Sequence, residues 1–290
     1  MAKLLENQIF SSLSDDFIIA ASEISKSKSR ILIVSEPSLV GSIALSSIEC
    51  ALLDSSIPYR RRFSTSEQKE SPIIKIHSET NQGDSFFNIH PFALFLQSQV
   101  VEGLRGRSGD SRKGPLTVIP QAFALSECIN PDSHRLRRMK PWILSGNWLA
   151  NALDNTYDAV YSTLRDYLSL EGSVKIVPFA EVPDLNLGNY PWLEVTKFSE
   201  ISDSWYSATL QEREKMLFTL VKDSLQLSIP STSRLEELVW NCVIGNGWDS
   251  DLASQILLAK SYWDSLSPIE AASKVADQIV RSGTVSSLQS

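Results

Sequence analysis

The sequence predicts an α/β fold: a doubly wound, mainly parallel sheet followed by a helical C-terminal region. Three observations carry this expectation. Ile31-Leu32-Ile33-Val34 is a short β-branched run, the pattern of a strand buried in a parallel sheet. Beyond a loop at Ser35–Ser38, the apolar residues Ile43, Ala44, Ile48, Ala51 and Leu52 recur from Gly41 onward at helical spacing, on one face. Ile57-Pro58 then opens a second strand ending in Arg60-Arg61-Arg62-Phe63, which completes a strand–loop–helix–strand unit. Ligands of such units sit at the loop leaving the first strand.

The remaining elements follow in order. Leu13, Phe17, Ile18, Ala21 and Ile24 mark an opening helix over residues 4–25, with Asp15 and Asp16 on its polar side. Pro72–His77 reads as a third strand. The aromatic-rich stretch Phe86–Phe92 reads as a strand and a turn into a helix over Phe92–Leu104. Gly103–Gly114 reads as a loop, rich in Gly and Ser and carrying Arg105, Arg107, Arg112 and Lys113. Leu116–Pro120 is expected as a strand and Ala122–Ile129 as a helix. Asp132 or Ser133 caps a short helix holding Arg135, Arg137, Arg138 and Lys140, which Pro141-Trp142 ends.

Trp148–Leu168 is expected as one helix with an aromatic and aliphatic core stripe, Val174–Phe179 as a strand, and Leu193–Thr196 as the last strand. The pattern changes near residue 200, which divides an α/β domain (1–200) from a helical domain (201–290). Its helices are expected over Gln211–Leu227, over Arg234–Ile244 capped by Ser233 with Glu236 and Glu237 in the first turn, over Leu252–Leu266 capped by Asp249, and from Ser267-Pro268 to Val280. Gly283–Ser290 reads as a frayed end.

Composition narrows the function. With 290 residues, 42% hydrophobic and 21% charged, the chain has the make-up of a globular protein, and its apolar runs are too short for a membrane span. No signal peptide is read at MAKLLENQIF, and Cys50, Cys128 and Cys242 read as separate thiols, so a cytoplasmic location is expected. The net charge of −7 divides into +2 for residues 1–150 and −9 for residues 151–290. Two surfaces with different partners, or ordinary variation in surface composition, account for this equally. Three separated His, no Gly-x-Ser-x-Gly, no Walker motif, no dinucleotide fingerprint and no Cys-x-x-Cys leave no catalytic residue, cofactor or metal site to assign. His77 and His134 read as polar surface residues.

The strand–loop–helix unit resembles the first motif of the DHH phosphoesterase superfamily, which includes the RecJ nucleases. Its loop has the form Ser-His-x-Asp-x-Asp-Gly-x-x-Ser/Ala, and Ser35, Gly41 and Ala44 fit that frame. Glu36 stands in the His position, Ser38 in the first Asp position and Val40 in the second. Divalent metals in phosphoryl-transfer sites need charged oxygen ligands, which Ser and Val do not supply. The strand at 72–77 ends in His77-Ser78-Glu79 where the family places aspartate or Asp-His-His.

The resemblance therefore implies a DHH-type fold without the nuclease site. The nearest group is formed by the archaeal RecJ-like replication factors and the eukaryotic cell division control protein of the replicative helicase. It implies binding to the GINS complex and the MCM ring and, as in some members of the group, contact with single-stranded DNA. It would place the chain at the nucleoid if archaeal. The basic clusters Arg60–Arg62, Arg105–Lys113 and Arg135–Lys140 are the candidates for DNA contact. Two alternatives stand beside this reading: an enzyme or binding protein for a phosphate-bearing small molecule, held by the Ser35–Ser42 loop and the following helix N-terminus, and a plain protein-interaction subunit.

Overall fold

The computed structural model describes residues 4–66, 68, 70–77, 86–105, 111–155, 157–222, 224 and 230–288. Two 3-10 turns lead into α1 (Ser14–Lys26), then β1 (Ile31–Ser35), α2 (Leu39–Asp54), β2 (Tyr59–Phe63), β3 (Ile73–Ile76), β4 (Phe86–Asn88) and β5 (Ala93–Leu96). β6 (Gln99–Arg105) and β7 (Ser111–Leu116) follow, then α3 (Val118–Ile129), α4 (His134–Met139), α5 (Ser145–Leu149), α6 (Ala152–Asn155) and α7 (Ala159–Glu171). After β8 (Val174–Val177) come α8 (Val195–Ser204), α9 (Leu210–Val221), α10 (Thr232–Val239), β9 (Cys242–Gly245), α11 (Leu252–Ser265) and α12 (Pro268–Ser282). This is a mixed α/β chain with a helix-rich C-terminal region, and no helix among the described residues is long and apolar enough to cross a membrane.

The main sheet has the order β2-β1-β3-β5-β4, parallel except for β4. Strand alternation divides its apolar residues between two clusters. Ile31, Ile33, Ile74, Ile76, Leu94 and Leu96 join the main core with α1, α2, α3 and α12. Leu32, Val34 and Ile73 form a separate small cluster against Ala93. A doubly wound sheet carries helices on both faces; among the described residues the helix layer covers one.

α2 is buried almost all round instead of on one face, because α3 and α12 flank it while it lies on the sheet. Its small residues permit this. Ser42, Ser46 and Ser47 return their hydroxyls to the carbonyls of Ser38, Ser42 and Ala44, each at 2.7 Å, so no polar group is left bare.

Several expectations change. Phe92–Leu104 is not a helix but parts of β5 and β6: Leu94 and Leu96 are buried while Ala93 and Phe95 are half-buried, a period of two. Gly103 and Gly114 lie in the arms of an antiparallel hairpin. They are glycine because α7 passes close by: a Cβ on Gly103 would stand 2.6 Å from the Ala159 backbone, and one on Gly114 2.6 Å from Asp158 Oδ1. Val118-Ile119-Pro120 forms the first turn of α3 rather than a strand; proline is tolerated there because that N–H has no helical partner.

The helix expected over Trp148–Leu168 is broken where Asn151 takes φ +55° and where Asp158 starts α7, accepting from Val160 N and Tyr161 N. Val195 begins α8 instead of belonging to a strand. Arg234–Ile244 divides into the end of α10 and β9, whose apolar run pairs with β8. The caps are Ser231 and Asp251, each accepting from first-turn amides, in place of Ser233 and Asp249. Glu236 and Glu237 thus lie past the first turn of α10. α9 ends at Val221 with Lys222 as its C-cap, and residues 223 and 225–227 of the expected continuation lie outside the described residues. The opening helix starts only at Ser14, and Ile18 is exposed. α12 matches its expectation, with a Ser267–Glu270 capping box.

The segment after α12 is packed, not frayed. Trp142 Nε1 donates to Gly283 O (2.9 Å), Val285 N to Gln255 Oε1 (2.7 Å), and Tyr262 Oη to Ser286 O (2.7 Å). The division at residue 200 does not coincide with a break in packing. A second core joins Phe179, Val182, Tyr190 and Leu193 to Trp205, Leu217, Leu220 and Val239 across it, and α12 packs on α2.

Candidate functional site

The loop leaving β1 lies at the carboxyl edge of the sheet. Ser38 caps α2, its hydroxyl accepting from Gly41 N at 3.0 Å. The α2 start is held tightly against β1: a Cβ on Gly41 would stand 2.2 Å from Ser35 Oγ and 2.6 Å from Glu36 O. Val40 packs against the main core. Trp263 of α11 reaches over the loop and donates from Nε1 to Pro37 O (3.1 Å). Ser38 and Val40, two of the three substituted loop positions, therefore build the helix start and the core.

Glu36 has a different neighbour. Its Oε1 lies 3.4 Å from His77 Nδ1, and the His77 ring stacks on Phe95 at 6.3 Å. Glu36 and His77 are far apart in the sequence. The signal that joins them is register: Ser35 pairs with Ile76 in neighbouring parallel strands, so the two residues that follow leave the sheet side by side. Ser78 and Glu79 lie outside the described residues. Among the described residues no group of three or more His, Cys, Asp or Glu is placed to hold a metal ion.

The structure disperses the basic clusters. On β2, Arg61 faces the helix layer and bridges Glu49 on α2 (3.0 Å) and Asp277 on α12 (2.6 Å). Burial alone would favour loss of its proton; the two carboxylates outweigh it and raise its pKa. Arg60 and Arg62 point to the other face and reach Glu70 at 3.7 and 3.6 Å, and Arg62 also bonds Gln68. On the hairpin, Arg112 and Lys113 are exposed, with Arg112 5.7 Å over the Tyr157 ring. Arg107 and the side chain of Arg105 lie outside the described residues.

The third cluster is least available. Lys140 is 5% exposed and sits between Glu127 and Glu171, which removes it from any solvent-facing surface. Arg135 is ion-paired with Asp54, Arg137 with Asp132 at 3.0 Å, and Arg138 is exposed. Burial raises the pKa of the Cys50 and Cys242 thiols, which makes them poor nucleophiles.

A feature without a sequence expectation lies in the helical region. A cavity of about 360 Å³ opens between Trp205, Trp240, Glu181, Leu210, Glu214 and Leu217. In its wall Leu210 is 83% exposed; Tyr206 and Phe218, in the same stretch of chain, are 75% and 57% exposed. Leu210 and Glu214 stand one turn apart on α9 and share the cavity wall with the buried Leu217. No family model matches the chain, and no curated protein matches it.

Proposed function

We propose that the chain is a non-catalytic, DHH-like relative of RecJ that serves as a scaffold subunit of the replicative-helicase machinery, binding GINS and MCM and contacting single-stranded DNA. The observation that carries this reading is the loop after β1. The frame Ser35–Gly41–Ala44 runs from the last residue of a parallel strand into the helix it feeds, while Ser38 caps that helix and Val40 packs against the core. Neither side chain supplies a charged oxygen to a metal. Leu210 and Phe218 of α9 add support as exposed apolar side chains that a protein partner can cover.

The test uses the immobilised full chain, challenged separately with purified GINS and purified MCM. A parallel assay follows hydrolysis of single-stranded DNA with manganese present. Stoichiometric capture of either complex without hydrolysis is the expected result. Capture of neither, or turnover of the DNA, overturns the reading.

The small-molecule alternative has one observation on its side. Ser35 Oγ is buried beside the first turn of α2 with no hydrogen-bond partner among the described residues. Saturable nucleotide binding that is lost in Ser35→Ala would favour that alternative.

A further inference from the structure

The cavity against α9 has a buried floor and an exposed rim. Trp205 and Leu217 are its buried lining, Pro178 and Trp240 are half-buried, and Leu210 and Glu214 are exposed. At about 360 Å³ it falls within the range of small-molecule sites, about 300–1,000 Å³. Three charged groups line it, and two of them are satisfied by each other and by the wall. Glu181 Oε1 accepts from Trp205 Nε1 (2.9 Å) and lies 3.6 Å from Arg213. Arg213 donates from Nε to Trp205 O (2.9 Å) and holds its guanidinium 5.2 Å over the Trp205 ring. Glu214 has no ion pair and no side-chain hydrogen bond among the described residues. Lys215, the next residue of α9, points to a different side of the helix. The cavity therefore joins apolar walls to one uncompensated carboxylate at its rim.

We infer that this cavity binds a hydrophobic amine: a small molecule whose aromatic or branched aliphatic body lies on Trp240, Leu217 and Leu210 and whose ammonium pairs with Glu214. The inference goes beyond the scaffold reading and does not rest on it. Charge decides the class of ligand. An anion, phosphate-bearing molecules included, would set its charge against Glu214, while Arg213 is already engaged by Glu181 and Trp205. A neutral ligand gains from the apolar walls and nothing from the carboxylate. An ammonium on an apolar body gains from both, because it donates charge-assisted hydrogen bonds to Glu214. Arg213 covers Trp205, but Trp240 has no cation over its ring and no ring contact among the described residues. Its indole can therefore take the ligand's body and add a cation–π attraction to the amine. The same body covers Leu210, which α9 otherwise leaves in water.

The experiment titrates the full chain, isotope-labelled at its seven tryptophan indoles, with phenylbutylamine and follows the indole N–H resonances by NMR. Trp240→Phe assigns the Trp240 resonance, and a saturable shift of that resonance is expected. Phenylbutyrate, with the same body and the opposite charge, is expected to bind about tenfold more weakly or less, since attraction is replaced by repulsion. Glu214→Gln is expected to weaken the amine about threefold to fivefold, the worth of a solvent-facing ion pair, and to leave binding of phenylbutanol unchanged. Glu214→Asp, which keeps the charge, is expected to retain most of the affinity. Leu210→Ala is expected to weaken amine and alcohol alike, and Asp16→Asn, on α1, to change neither. Glu214 and Leu210 are exposed, and thermal melts confirm that their variants fold. No saturable shift, equal binding of phenylbutyrate, or undiminished amine binding by Glu214→Gln overturns the inference. So does equal binding of acetyl-lysine methylamide, which would assign the cavity to a lysine of a protein partner. Capture of GINS or MCM enters none of these outcomes, so either reading can fail without the other.

Discussion

Lys140 Nζ lies 3.0 Å from Glu127 Oε1, with both side chains nearly closed to solvent. The same ammonium is bonded to Glu171, and Glu127 Oε2 accepts the Leu4 N–H at 2.9 Å. The group ties α3, the end of α7 and the first residues into one knot. Removing one member leaves buried charge without its partner. Lys140→Ala is expected to cost about 3–5 kcal/mol, read from urea unfolding; a variant as stable as the parent would show that the charges are not buried as a group.

Gly41→Ala places a methyl where Ser35 Oγ and the Glu36 carbonyl already stand. The carbonyl is backbone and yields little, so α2 must shift from β1. A loss of about 1–3 kcal/mol is expected, the range of overpacked sites. Denaturant titration measures it; a variant as stable as the parent would show that the loop is looser than described.

Asp54 sets part of the acid sensitivity. Burial tends to raise its pKa, but hydrogen bonds from Ser133 and from the Arg135 amide and guanidinium outweigh it and hold the carboxyl below its ordinary value. A depressed carboxyl stabilises the fold above its unfolded pKa and loses that contribution as pH falls through the folded one. Asp54→Asn is therefore expected to be less stable near neutrality, with a shallower loss below about pH 4. Urea midpoints across the acid range check this, and parallel curves for the two proteins would contradict it.

Leu210 and Phe218 of α9 separate stability from partner binding. Leu210→Asp combined with Phe218→Asp alters exposed positions, where substitutions usually change stability by no more than about 0.5 kcal/mol each. Capture of GINS or MCM by the double variant is expected to fall at least tenfold. Undiminished capture would place the docking surface elsewhere.

How much of this was legible in the sequence depended on how local each signal is. The β1–α2–β2 unit was readable because β-branched and helical periods follow each other without ambiguity. The stretch from Ala93 to Arg105 was not, since a short apolar run fits either period and only its pairing with β3 and β7 decides. Gly103 and Gly114 looked like loop residues, although their lack of a side chain serves the approach of α7. Asp158 and Asn151 were hidden within an apolar stripe that spans three separate helices. The basic residues were visible as clusters, but a strand separates its neighbours onto opposite faces. Arg61 went to the helix layer while Arg60 and Arg62 went to the other side, and no composition count can show that.

The packing of α12 on α2 has a consequence for how the chain is made. α2 is complete by residue 54, yet one of its flanks is covered only by a helix that begins at Pro268. During synthesis the ribosome releases more than two hundred residues between the two. Throughout that interval an apolar flank of α2 has no native cover, and such surface is prone to aggregate or to recruit chaperones. Nascent chains arrested before Pro268 should therefore be sensitive to protease and held by chaperones, whereas chains extended past Val285 should be released as folded protein.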